Sequence, residues 1–167
     1  MTRIHPPDQA IVRKHLEAAL AEDGFHQDIT CRATIPHGSH RHRGRFHLRT
    51  RQHGTFAGAA ILDAVAERFP DEITLARAID DGQSFPRGEV LATLDGDAPT
   101  ILGLERTLLN FLQRLCGVAT LTARYVAAVG NTGVRIFDTR KTIPGWRALD
   151  KYAVRCGGGH NHRMGLH

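Results

Sequence analysis

Cysteine is scarce in this sequence, and the little there is lies far apart. Cys31, Cys116 and Cys156 are the three thiols among 167 residues. An odd, dispersed set offers neither a disulfide framework nor a CxxC metal clip. Reduced cysteines in a cytoplasmic protein are the simple reading. Long apolar runs are missing too. Charge interrupts each of them, so no segment is expected to span a membrane. The stretch from Met1 to Asp8 has no apolar run after its basic residue, so no secretory signal is expected. There is no internal repeat and no low-complexity tract. An apolar fraction of 41% suffices for a packed core, and nothing in the composition suits a disordered or collagen-like chain.

Acidic residues are scarce in one region. Residues 1–133 balance 15 Lys+Arg against 15 Asp+Glu, while residues 134–167 hold seven cations against only Asp138 and Asp150. The whole excess of +5 therefore lies in the tail. A local surplus of this kind points to an anionic ligand.

Hydrophobic periodicity gives the elements. Residues 8–22 carry Ile11, Val12, His15, Leu16, Ala19 and Leu20 at helical spacing, ending near Asp23-Gly24. Gln27 to Thr30 reads as a turn into an extended stretch. Arg41 to Arg51 alternates, with basic residues and His47 on one side and Phe46 and Leu48 on the other. That predicts a half-buried strand with a basic outer face. A turn at Gly54 precedes a helix through Ala59 to Phe69, which Pro70 closes. Ile73–Ile79 and Glu89–Leu94 read as strands around a polar loop, Asp80–Gly88. Pro99–Cys116 predicts a strong helix and Val118–Val129 a second, with Gly130 as its C-cap. Val134–Thr139 reads as a short strand and Trp146–Cys156 as a helix closed by Gly157-Gly158-Gly159. The fold class expected is mixed α/β: an α+β layer over residues 1–116, then the start of a β/α barrel over 117–167. A boundary is expected in the 116–133 region. A lone βα unit cannot bury its own faces, so the chain is expected to be incomplete.

Two segments could carry chemistry. Asp138 to Gly145 follows a strand end, where β/α folds build ligand sites. Arg140 and Lys141, flanked by Thr139 and Thr142, could clamp a carboxylate or phosphate; the bland alternative is a solvated basic loop. Gly157 to Arg163 puts two imidazoles, an amide and a guanidinium directly after three glycines. Zinc ligation by His160 and His162 lacks a carboxylate or thiol partner at ligand spacing. His160 could equally be a structural histidine. Glu105-Arg106 by default is an exposed charged pair. The Arg41–Arg51 stripe lacks the aromatic interleaving of a nucleic-acid surface. No nucleic-acid or membrane partner is expected.

These segments resemble the quinolinate phosphoribosyltransferase family. Residues 105–120 (ERTLLNFLQRLCGVAT), 138–145 (DTRKTIPG) and 151–166 (KYAVRCGGGHNHRMGL) are similar to its signatures, as are Glu22-Asp23 and Asp28-Ile29-Thr30. The matches fall in order across almost the whole chain. Departures are Gln27, Cys116, Ile143 and Trp146, none of which removes a charged group. The resemblance implies an α+β open-faced sandwich over residues 1–116 followed by the start of a β/α barrel, truncated, over 117–167, and a glycosyltransferase of NAD biosynthesis. Such an enzyme joins quinolinate to phosphoribosyl pyrophosphate with Mg²⁺ and yields nicotinate mononucleotide, pyrophosphate and CO₂. By motif, Arg140, His162 and Arg163 would contact the quinolinate carboxylates, Thr139 would be a further substrate-binding residue, and Lys141 would be both binding and catalytic. Arg106 would reach the partner subunit's site in a homodimer or higher oligomer. The family's further lysine, acidic residues and phosphate loops have no counterpart up to His167, so the chain alone is expected to be inactive. No metal ligand is expected among these residues. The alternatives are a relative with another base, an RNA-binding module, or a non-catalytic chain that pairs with intact subunits.

Overall fold

Three carboxylates start three of the helices. In the computed structural model, which describes residues 4–35 and 42–166, Asp8 accepts from the Ala10 amide at 2.7 Å and opens α1 (Gln9–Glu22). Asp28 accepts from the Cys31 amide at 2.9 Å and opens the short α2 (Ile29–Thr34). Asp97 accepts from the Thr100 amide at 3.1 Å and opens the long α4 (Ala98–Val129). Each satisfies an amide that the first helical turn leaves without a partner. Between α2 and α4 lie strands β1 (Arg43–Arg49) and β2 (Gly54–Thr55), helix α3 (Ala59–Arg68), and strands β3 (Ile73–Arg77), β4 (Ser84–Phe85) and β5 (Val90–Asp97). Helix α5 (Arg147–Cys156) follows α4.

Strands β1, β5 and β3 form an antiparallel sheet in that order, and β2 pairs with β4. In β1 the residues alternate between exposed (Arg43, Arg45, His47, Arg49) and half-buried. Phe46 and Leu48 face the core, while Arg45 pairs with Asp95 at 2.8 Å on the outer face. Arg41 lies outside the described residues. Helices α1, α3 and α4 cover the inner face around Leu16, Ile61, Leu62, Val65, Leu104, Phe111 and Leu115, all 0–2% exposed.

Several expectations are corrected. Asp28 caps a helix instead of leading into an extended stretch. Gly54 is buried in β2 and not in a turn, and the polar loop after β3 contains β4. The two expected helices are one, because α4 runs unbroken through Gly117. Gly117 has open space around its Cα, so its cost there is only the propensity deficit of about 1 kcal/mol. Buried side chains on both sides of it outweigh that deficit. The stretch 134–139 is not a strand, since it makes a single parallel bridge, Phe137 to His160.

Buried bonds join α5 to this layer. Asp81 accepts from the amides of Gly58 (2.9 Å) and Ala59 (3.1 Å), capping α3, and also from the Tyr152 hydroxyl of α5. Burial and the Asp81 charge push the Tyr152 phenol far up, so it stays a hydrogen donor. Cys116 donates to the Ala57 carbonyl, and burial raises its thiol to about 11. Arg114 grips Asp150 of α5 at 3.0 and 3.1 Å. Trp146, at the start of α5, stacks on Phe111 with ring centroids 5.1 Å apart.

Candidate functional site

The candidate residues sit on two irregular segments, 138–145 and 160–166, held against helix α5. Phe137 bridges His160, the Asp138 amide donates to the His160 carbonyl at 3.0 Å, and the His160 amide donates to Ile136 at 2.8 Å. The two segments therefore run side by side. His160 packs its ring 5.3 Å from that of Phe137 and is itself exposed.

Asp138 is the centre of the arrangement. Its side chain is 6% exposed and pairs with the ammonium of Lys151, itself 1% exposed. It also accepts from the His162 amide (2.8 Å) and from the Asn161 side-chain amide (2.5 Å). Lys151 donates in addition to the His162 carbonyl at 2.9 Å, and Asn161 to the Lys151 carbonyl at 2.8 Å. A buried charge is tolerated only when it is paired and its remaining hydrogen-bonding capacity is used, and this pair meets both conditions.

Glycine lets the second segment approach α4. A Cβ on Gly157 would lie 2.4 Å from the Ala119 carbonyl and 2.6 Å from Thr122 Cβ, and Gly158 turns with φ +81°. The chain then reverses at the end of α5 and returns beside 138–142.

The expected ligand residues lie on the rim of this frame. Thr139, Lys141, His162 and Arg163 are exposed, and Arg140 is half-buried. The Thr139 hydroxyl accepts from the Lys141 amide at 3.0 Å, which fixes the turn between them. The Nε of Arg140 is buried without a partner. His162 Nδ1 accepts from the Arg163 amide at 2.9 Å, which in the neutral ring leaves Nε2–H as the outward donor. Arg163 uses one Nη on the Leu166 carbonyl at 3.0 Å. Among the described residues no ion pair engages Arg140, Lys141 or Arg163. Arg106 is exposed on α4, and no hydrogen bond or ion pair ties it to either segment. The structure thus gathers Thr139, Arg140, Lys141, His162 and Arg163 onto adjoining segments and leaves Arg106 apart.

Sequence reasoning missed the frame itself: Asp138, Lys151, Asn161 and Arg147. Their polar and charged side chains lie in or beside the same motifs as the candidate ligand residues, and burial and hydrogen bonding separate the two groups. The one available signal was spacing, since Arg147, Lys151 and Arg155 recur every four residues along a helix.

The arrangement presents cations without anionic partners among the described residues and one imidazole donor, which suits an anionic ligand. It does not suit a metal. Asp138 and Asp150 are the only acidic residues after 133, and both are held in ion pairs.

Comparisons with known proteins point to one family. The family model "Quinolinate phosphoribosyl transferase, N-terminal domain" matches residues 28–116, and its C-terminal counterpart matches 118–167. A probable nicotinate-nucleotide pyrophosphorylase (carboxylating) of Bacillus subtilis is 46% identical over 114 residues, covering 68% of this chain and 39% of the relative. The chloroplastic nicotinate-nucleotide pyrophosphorylase (carboxylating) of Arabidopsis thaliana is 38% identical over 98% of this chain and 46% of its own length. The solved nicotinate-nucleotide pyrophosphorylase from Francisella tularensis superposes with a TM-score of 0.89 at 35% identity, over 99% of this chain and 58% of that one. The chain thus spans about half the length of the relatives it matches.

Proposed function

The chain belongs to the quinolinate phosphoribosyltransferase family, and from that membership we propose that segments 138–142 and 160–163 hold quinolinate for transfer of a phosphoribosyl group from phosphoribosyl pyrophosphate. The observation that carries this reading is the set of cations left without anionic partners on one braced surface: Arg140, Lys141 and Arg163, beside the His162 donor. Quinolinate is a dianion at neutral pH, and such a site needs fixed cations and few other groups.

Binding both carboxylates orients the ring nitrogen toward the ribosyl donor. The nitrogen lone pair forms the new bond to the ribosyl carbon as the bond to pyrophosphate breaks. When the adjacent carboxylate leaves as CO₂, the electron pair of the broken bond stays on the ring carbon, stabilised by the alkylated, positive ring nitrogen, and that carbon then takes up a proton. The contribution of these residues is positioning and charge stabilisation. Lys141, exposed beside Arg140, is the cation assigned to both binding and catalysis.

Mg²⁺ would be carried by the pyrophosphate of the donor, because Asp138 and Asp150 are already engaged. The chain alone is expected to be inactive, and formation of nicotinate mononucleotide by it would overturn that. Residues 117–167 are read as opening a β/α barrel after an N-terminal sandwich of residues 1–116. The unpartnered Arg106 on α4 suits a role in the partner subunit's site of a homodimer. Three free thiols, among them the raised Cys116, suit a cytoplasmic location. Among the described residues no helix is long and apolar enough to cross a membrane.

Calorimetric titration tests the site. Arg140→Met is expected to weaken quinolinate binding about 10- to 100-fold, the worth of one charge-assisted contact. An unchanged affinity would remove Arg140 from the site.

A further inference from the structure

The tail carries seven cations, and they do not all do the same work. Arg147, Lys151 and Arg155 lie four residues apart along α5, so they line one face of it. None of them is free. Arg147 donates to the Met164 carbonyl at 2.9 Å, the Arg140 carbonyl at 3.4 Å and the Thr142 hydroxyl at 3.4 Å. Lys151 holds Asp138 and the His162 carbonyl. Arg155 donates to the Asn161 side-chain oxygen and, at 2.7 Å, to the His5 carbonyl.

The acceptors follow a pattern. Lys151 and Arg147 each touch both ligand-bearing segments, one at 138 and 162, the other at 140–142 and 164. Arg155 fixes Asn161, which in turn reaches Asp138. Only Asp138 among these acceptors is an anion, and the rest are neutral oxygens. Beyond the direct bonds at 136–138 and 160–162, the two segments are therefore held together by side chains of one helix, and two of its three positive charges have no anionic partner among the described residues.

We infer that α5 is a cationic spine for the site, and that Arg147 is a positioning residue that sets the distance between the Arg140 and Arg163 segments without touching the substrate. Its three donor nitrogens are all directed at protein oxygens. A lysine at this position would keep the charge but could not span three acceptors in different directions. The inference rests on the quinolinate reading for its binding arm, but its structural arm does not.

The experiment compares Arg147→Lys and Arg147→Met with the unaltered 167-residue chain in two measurements. The first is amide hydrogen exchange. Residues 139–142 and 162–166 are expected to exchange faster together in both variants, while the β1, β5 and β3 amides keep their protection. Unchanged exchange in those two segments would overturn the inference. The second is titration with quinolinate and, separately, nicotinate. Both variants are expected to lose about tenfold or more of the preference for the diacid, because misplacement by a fraction of an ångström disrupts a two-point contact. Partial unfolding would lower both affinities equally and leave their ratio intact. A ratio kept by Arg147→Lys would show that charge alone matters and would overturn the positioning role. If the unaltered chain binds neither acid, the quinolinate reading fails, and the exchange measurement alone decides on the spine.

Discussion

Lys151 and Lys141 carry the same charge ten positions apart, yet one is 1% exposed and paired with Asp138 while the other lies open on the surface. Burial determines which of them is part of the scaffold. Lys151→Met would leave a buried carboxylate without its cation, and the expected loss of stability is about 3–5 kcal/mol by denaturant unfolding. Adding Asp138→Asn removes that orphan charge and should recover part of the loss. A single variant as stable as the unaltered chain would contradict the account of Asp138 as a compensated buried ion. The grouping of Arg140, Lys141, His162 and Arg163 on adjoining segments was legible in the sequence because two short motifs concentrate them. The buried role of Asp138 and Lys151 was not, since a carboxylate and an ammonium 13 residues apart give no sign of pairing until a helix and a return segment bring them together.

At the scale of elements, the return segment depends on how closely α5 ends against α4. Gly157 sits where a Cβ would meet the Ala119 carbonyl at 2.4 Å and Thr122 Cβ at 2.6 Å. Gly157→Ala is expected to cost about 1–3 kcal/mol through overpacking. It should also weaken quinolinate binding by moving His162 and Arg163, both read by calorimetry. Loss of stability with binding intact would show that the return segment is set independently of this contact. Helices α1, α3 and α5 were readable because their apolar periods and end signals agree. The helix after Asp28 was missed although its cap was visible, because a six-residue helix has too few turns to show a period. Helix α4 was divided at Gly117 because glycine is read as punctuation. Leu115 and Ala119, both fully buried, carry the helix across it. The strand expected at 134–139 lacks the neighbouring strands it would need, and only the Phe137–His160 bridge forms.

Across the whole molecule, six of the seven cations of the positive tail fall into two groups. Arg147, Lys151 and Arg155 brace the two segments from α5, and Arg140, Lys141 and Arg163 have no anionic partner among the described residues. The open-faced sheet and its helices anchor this tail through Arg114–Asp150, Tyr152–Asp81 and the Trp146–Phe111 stack. The measurement that bears most directly on the account is a side-by-side calorimetric titration of the chain with quinolinate and nicotinate at one ionic strength. The account predicts that quinolinate, with its second carboxylate, binds about tenfold or more tightly. Equal affinities, or a preference for nicotinate, would contradict it.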